Sequence, residues 1–148
     1  MKFYLAYGMN TNLGSMARRC PNAVSLGKVW LDDHILTFKT HADAEYYENG
    51  AMECALWEIT EMCERSLDSL EGFPYYYEKK MVDVVYEGAV ITAMIYYMRE
   101  YYPLRTPDQY YLNTLLQGYH QHDMDKNEIY RAYEETLNLD IIDIKEYN

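Results

Sequence analysis

Glu71 stands between Leu70 and Gly72, at the end of a stretch with helical spacing. The helix macrodipole disfavours a carboxylate at a C-terminus. If that carboxylate is also withdrawn from water, its proton affinity rises and it can exchange protons near neutrality. Position alone equally allows a solvated helix-end glutamate. A second candidate is Tyr7-Gly8-Met9-Asn10, where an apolar run stops at Gly8. Backbone N–H groups left free at such a junction could meet an anion or a carbonyl oxygen, although a plain strand-to-helix turn has the same signature. It is not a phosphate loop, because neither G-x-G-x-x-G nor G-x-x-x-x-G-K occurs. His120-Gln121-His122-Asp123 offers metal-donor types, but His34 and His41 lie far away in sequence and no complete ligand set is evident. Surface histidines and no metal are expected. Cys20, Cys54 and Cys63 are odd in number, never spaced C-x-x-C, and set in apolar stretches. The expectation is buried thiols in a reducing, cytoplasmic compartment, with neither a disulfide framework nor a zinc knuckle.

Several elements must position these groups. Lys2 to Tyr7 reads as a first, buried strand. Asn10, Thr11 and Asn12 are N-cap formers ahead of Leu13, Met16 and Ala17, predicting a short helix that Pro21 cannot continue. Ala23 to His41 alternates like a hairpin folded around Asp32-Asp33. Ala42 to Gly50 is polar and turn-rich, and Ala51 to Ile59 is apolar again. Thr60 caps a helix with Met62, Cys63, Leu67 and Leu70 on one face and Gly72 as its stop, which delivers Glu71 at the last turn. Tyr75 to Tyr86 and Ala89 to Met98 flank Glu87-Gly88, a tight connection between two long strands. Thr106-Pro107-Asp108-Gln109 reads as N-cap, first helical position and capping box of a helix reaching about His120. Asp125 to Glu128 resembles another such start, followed by Ile129, Ala132, Tyr133 and Leu137 on an apolar face. The tail from Ile141 to Asn148 has no assignment.

Strands with interspersed helices and no repeat or linker predict one α+β domain over residues 1–148. The 49% hydrophobic and 25% charged residues are those of a globular chain with a packed core. Thirteen Lys and Arg against 24 Asp and Glu give a net charge of −11. That field repels phosphate backbones and anionic lipids, so nucleic-acid and membrane-surface partners are disfavoured. No run approaches a membrane span or a signal h-region. Eighteen tyrosines bring large rings whose hydroxyls need partners when buried.

Three segments in order, Tyr7-Gly8-Met9-Asn10, Leu67-Asp68-Ser69-Leu70-Glu71-Gly72-Phe73-Pro74 with Tyr77 beyond, and Thr106-Pro107-Asp108-Gln109-Tyr110, resemble the gamma-glutamylcyclotransferase-like family over most of the chain. The resemblance implies a small mixed β-barrel with flanking helices. It also implies Glu71 as general acid/base, with Tyr7, Gly8, Met9, Asn10, Tyr77 and Tyr110 binding substrate. The family commonly has Y-G-S-N in the first motif, so Met9 replaces a serine; a contact through the backbone N–H would survive that change. The implied reaction is cofactor-independent: the α-amine of a γ-glutamyl group attacks its own γ-carbonyl and releases 5-oxoproline with a free amine or amino acid. A small-molecule γ-glutamyl substrate is then the partner, with the leaving amine and the oligomeric state open. The alternative is a non-catalytic ligand- or protein-binding module that keeps the same pocket. An acidic mimic of nucleic acid is disfavoured, since the charge is spread without a dense block.

Overall fold

The computed structural model describes residues 1–99 and 102–147. Five strands, β1 (Lys2–Ala6), β2 (Val24–Lys39), β3 (His41–Ile59), β4 (Tyr77–Tyr86) and β5 (Ala89–Met98), form one sheet in the order β2-β3-β1-β5-β4. All neighbours are antiparallel except β1 and β5, which run parallel with Tyr4 opposite Met94. Four helices flank the sheet: α1 (Leu13–Arg19), α2 (Glu61–Leu70), α3 (Gln109–Gln121) and α4 (Asn127–Tyr147). The α+β class is as the sequence implies. The barrel is not closed, because among the described residues the edge strands β2 and β4 share no ladder. Across that seam Lys80 Nζ donates to His34 Nε2 at 2.9 Å.

The central strands are buried on both faces, with Tyr4, Leu5 and Ala6 of β1 and Ala93 to Tyr96 of β5 all in the core. This accounts for their near-continuous apolar runs. The β4–β5 hairpin turns at Glu87 and Gly88, both at positive φ (50° and 79°), which is the two-residue geometry that matches strand twist. The β2–β3 hairpin departs from expectation. Asp32-Asp33 does not reverse the chain; a register shift lies between Asp32 and His34, Asp33 takes φ 60°, and β2 continues. Its carboxylate accepts from Asn49 N across the hairpin at 3.0 Å. Reversal comes at Thr40 (φ 72°), whose N–H donates to Arg105 O. The polar stretch after His41 is therefore strand, with Tyr46 and Tyr47 largely exposed.

Thr60 caps α2 through its hydroxyl, which accepts from Cys63 N at 3.1 Å. Cys63 and Leu67 are buried, while Met62 and Leu70 stand largely exposed. Asp108, not Thr106, caps α3, accepting from Tyr111 N at 2.7 Å; the Thr106 hydroxyl pairs instead with that of Thr136. In α4, Ile129 and Ala132 are buried as the pattern predicts, and the helix extends through the unassigned tail to Tyr147. The cysteine expectation is corrected. Cys20, after α1, and Cys63, in α2, form a disulfide with Cα atoms 5.2 Å apart, and only Cys54 is a buried free thiol. No described helix is long and apolar enough to cross a membrane.

Candidate active site

Beyond β1 the chain enters a single 3-10 turn, Met9–Thr11, whose N-cap is Gly8. The N–H and hydroxyl of Thr11 both donate to Gly8 O, at 3.0 and 2.7 Å. The N–H groups of Met9 and Asn10 precede that first bond and have no acceptor within the turn. Three longer-range contacts fix the segment from outside. Tyr119 of α3 donates to Tyr7 O (2.8 Å), Tyr7 donates to Tyr96 O (2.6 Å), and Trp57 Nε1 donates to Asn10 O (3.0 Å). Asn12 then caps α1 by accepting from Ser15 N and reaches α3 through Thr114 O and Gln117 Oε1. Helix α3 lies so close to the turn that a Cβ at Gly118 would sit 2.2 Å from Thr11 Oγ1 and 2.7 Å from Asn12 N.

Glu71 arrives from the other side. It is the C-cap of α2, with its N–H donating to Leu67 O at 2.8 Å, and Gly72 at φ 64° turns the chain away. Its side chain faces a cavity of about 200 Å³ bounded by Tyr7, Gly8, Met9 and Asn10 from the turn, with Tyr4 and Tyr96 from the sheet. Arg19, Leu70 and Tyr77 contribute from their own elements, and His41, Ala42, Tyr76 and Tyr111 complete the wall. Burial pushes the Glu71 carboxyl up to about 7, against an opposing pull from the Arg19 guanidinium. Asn10 stands between these two charges. Its Oδ1 accepts from Arg19 Nη1, and its Nδ2 donates to Tyr4 Oη at 2.9 Å and, more weakly, to Glu71 Oε1 at 3.4 Å. On the far wall Tyr77 donates to Ala42 O (2.6 Å), Ala42 N donates to Tyr111 Oη (2.9 Å), and His41 Nδ1 pairs with Tyr76 Oη (2.7 Å). Burial holds His41 below its ordinary proton affinity, so it is neutral near pH 7.

Of the residues anticipated for the site, Glu71, Tyr7, Gly8, Met9, Asn10 and Tyr77 meet around this cavity. Tyr110 does not: it is 68% exposed, and its neighbour Tyr111 takes the place in the wall. The reason is helical phase. Tyr111 shares the inward stripe of α3 with buried Leu115 and Tyr119, whereas Tyr110 shares the polar one with Thr114 and Gln117. That periodicity was readable in the sequence; the placement of Arg19, His41, Tyr76 and Tyr96 has no comparable local signal. Among the described residues no group of three or more His, Cys, Asp or Glu is placed to hold a metal ion, and His122 is instead buried against Ser25 at 2.8 Å.

Residues 51–131, from β3 into α4, match the model of the AIG2-like family. The chain belongs to the AIG2-like family. Solved structures agree with its fold. The AIG2-like chain superposes on a structure described as gamma-glutamyl cyclotransferase with TM-score 0.75 at 23% identity, over 82% of this chain and 79% of that one. An uncharacterised protein from Homo sapiens gives TM-score 0.74 at 24% identity, again over 82% and 79%. YkqA from Bacillus subtilis gives 0.77 at 17%, covering 91% of this chain but 55% of the other. At these identities the likeness is one of fold. No curated protein sequence matches the chain. Membership of the AIG2-like family and the fold together bear out the gamma-glutamylcyclotransferase-like resemblance carried by the three sequence motifs.

Proposed function

We propose that the protein is a γ-glutamyl cyclotransferase. The observation that carries this reading is Glu71: a carboxyl with proton affinity near neutrality, in the wall of a cavity that the Tyr7–Asn10 segment also lines. The γ-glutamyl chain folds back so that its α-amine meets its own γ-carbonyl, an orientation effect worth up to ~7–11 kcal/mol. Glu71 takes a proton from the attacking amine as the new C–N bond forms. The tetrahedral oxyanion meets backbone N–H groups of the Gly8–Asn10 segment. The same carboxyl then gives its proton to the leaving nitrogen as the original C–N bond breaks, producing 5-oxoproline and a free amine. Such proton transfer typically contributes roughly 10²–10⁴-fold. Tyr77 and Tyr111 shape the wall, and the reading requires no cofactor because a positioned amine, one carboxylate and backbone donors suffice.

Incubation with a panel of γ-glutamyl amines and amino acids, with 5-oxoproline followed by mass spectrometry, tests the proposal. Acetylating the α-amine of an accepted substrate should abolish turnover, since that nitrogen is the nucleophile. Free glutamate as the product would instead mark an amidase. Glu71→Gln is expected to keep the fold, checked by a circular-dichroism melt, and to lose at least about 10²-fold in kcat. A cytoplasmic setting belongs to the same proposal, and trapping thiols before isolation to count free cysteines is its direct check against the Cys20–Cys63 bond.

A further inference from the structure

Arg19 ends α1 and lines the cavity, yet the proposed chemistry gives it no role. Among the described residues its guanidinium bonds only to Asn10 Oδ1, and no carboxylate lies within ion-pair distance of it. A guanidinium has five N–H donors in a rigid fork suited to a carboxylate, so most of this one's capacity is unspent and faces the cavity. Among the described residues the one other basic side chain in the wall is His41, which burial holds below its ordinary proton affinity and which pairs with Tyr76. A cation and an anion, Arg19 and Glu71, therefore look into one small space from either side of the Asn10 amide. That amide presents an acceptor to Arg19 and a donor to Glu71. An α-amino-acid head group presents the same pair: a carboxylate that accepts and, one carbon away, an amine that donates.

We infer that Arg19 binds the α-carboxylate of the substrate's glutamyl group, and by doing so places the adjacent α-amine against Glu71. The inference rests on the proposed cyclotransferase reading and deepens it. The pocket then selects compounds with a free α-carboxylate and α-amine at one end, whatever amine leaves from the other. Arg19 is a binding and positioning residue; no bond to it forms or breaks.

The test compares an accepted γ-glutamyl compound with its α-carboxamide analogue in the wild type, Arg19→Gln and Arg19→Lys. Melts establish that each variant is folded. The wild type should prefer the carboxylate by about tenfold to hundredfold in kcat/KM, mainly through KM, the range expected of a charge-assisted hydrogen bond. Arg19→Gln should reduce that preference to threefold or less, and Arg19→Lys, which keeps a charge but not the fork, should restore part of it. The acidic limb of the pH profile should also move to higher pH in Arg19→Gln, which reports the nearness of Arg19 to Glu71, whereas the carboxylate-to-carboxamide ratio, read mainly in KM, is the response that a purely structural arginine would not give. Undiminished discrimination in Arg19→Gln overturns the inference while leaving cyclisation intact. Binding of 5-oxoproline and its carboxamide, measured by calorimetry, separates the remaining cases. Arg19-dependent preference for the carboxylate without turnover of any γ-glutamyl compound keeps this subsite and removes the cyclotransferase reading. Neither binding nor turnover removes both.

Discussion

At the scale of single residues, desolvation sets the behaviour of Glu71, with a carboxyl pushed up to about 7 from an ordinary 4.5. In the proposed reaction the base form must be present to accept the amine's proton, so kcat/KM should rise with pH through a limb near 7. The consequence for stability has the opposite sense. Between about 4.5 and 7 the folded protein holds a proton on Glu71 that the unfolded chain has released. This residue's contribution to stability is therefore complete below 4.5 and is lost as pH rises through 7. Glu71→Gln removes that titration, so its melting temperature relative to wild type should climb from pH 5 to pH 8; a constant difference would count against burial as the cause. The placement of Glu71 was legible because Leu70-Glu71-Gly72 closes a helical pattern, and Gly is the residue that turns a chain out of a helix. Arg19 was not legible. A basic residue in a last helical turn is ordinary macrodipole complementarity, and only the approach of α2 makes it face a carboxylate.

Among elements, the contact of α3 with the 3-10 turn gives the site its shape. A methyl group at position 118 would press on Thr11 Oγ1 and on the backbone nitrogen of Asn12, and the latter cannot rotate aside. Gly118→Ala should therefore cost about 1–3 kcal/mol in urea denaturation and displace the turn. It should lower kcat/KM more than the melt alone explains; unchanged kinetics would mean that the turn does not depend on α3 for its position. The β4–β5 hairpin was readable because Glu87-Gly88 has the residues its turn needs. The β2–β3 reversal was not, because Asp32-Asp33 looks like a turn but sits in a bulge, while the true reversal at Thr40 relies on Arg105 from a distant segment. Asp108 displaced Thr106 as the α3 cap for a similar reason: Thr106 is occupied by Thr136 of α4.

Across the whole molecule, the Cys20–Cys63 bond spans a sequence separation of 43 and ties the end of α1 to the start of α2. Neither cysteine lies near the other in sequence, so only the packing of the two helices reveals the pair. Replacing both with serine should lower stability by about 2–4 kcal/mol. The loss should appear in chemical denaturation of the wild type once a reductant is added, and identical curves with and without reductant would contradict it. The tie joins the elements carrying Arg19 and Glu71, so loosening it should also weaken substrate binding. Finally, the anchoring of Tyr7 O by Tyr119 bears on how the protein is made. Synthesis delivers the N-terminal segment first, and the ribosome must add more than a hundred further residues before the side chain that braces it exists. A nascent or prematurely terminated chain ending before α3 carries Glu71, the whole first motif and its contacts to Tyr96 and Trp57, yet it lacks the brace that Tyr119 places on Tyr7 O. The proposed activity therefore waits until α3 has been made, and a chain stalled before it should turn substrate over less well than the finished protein.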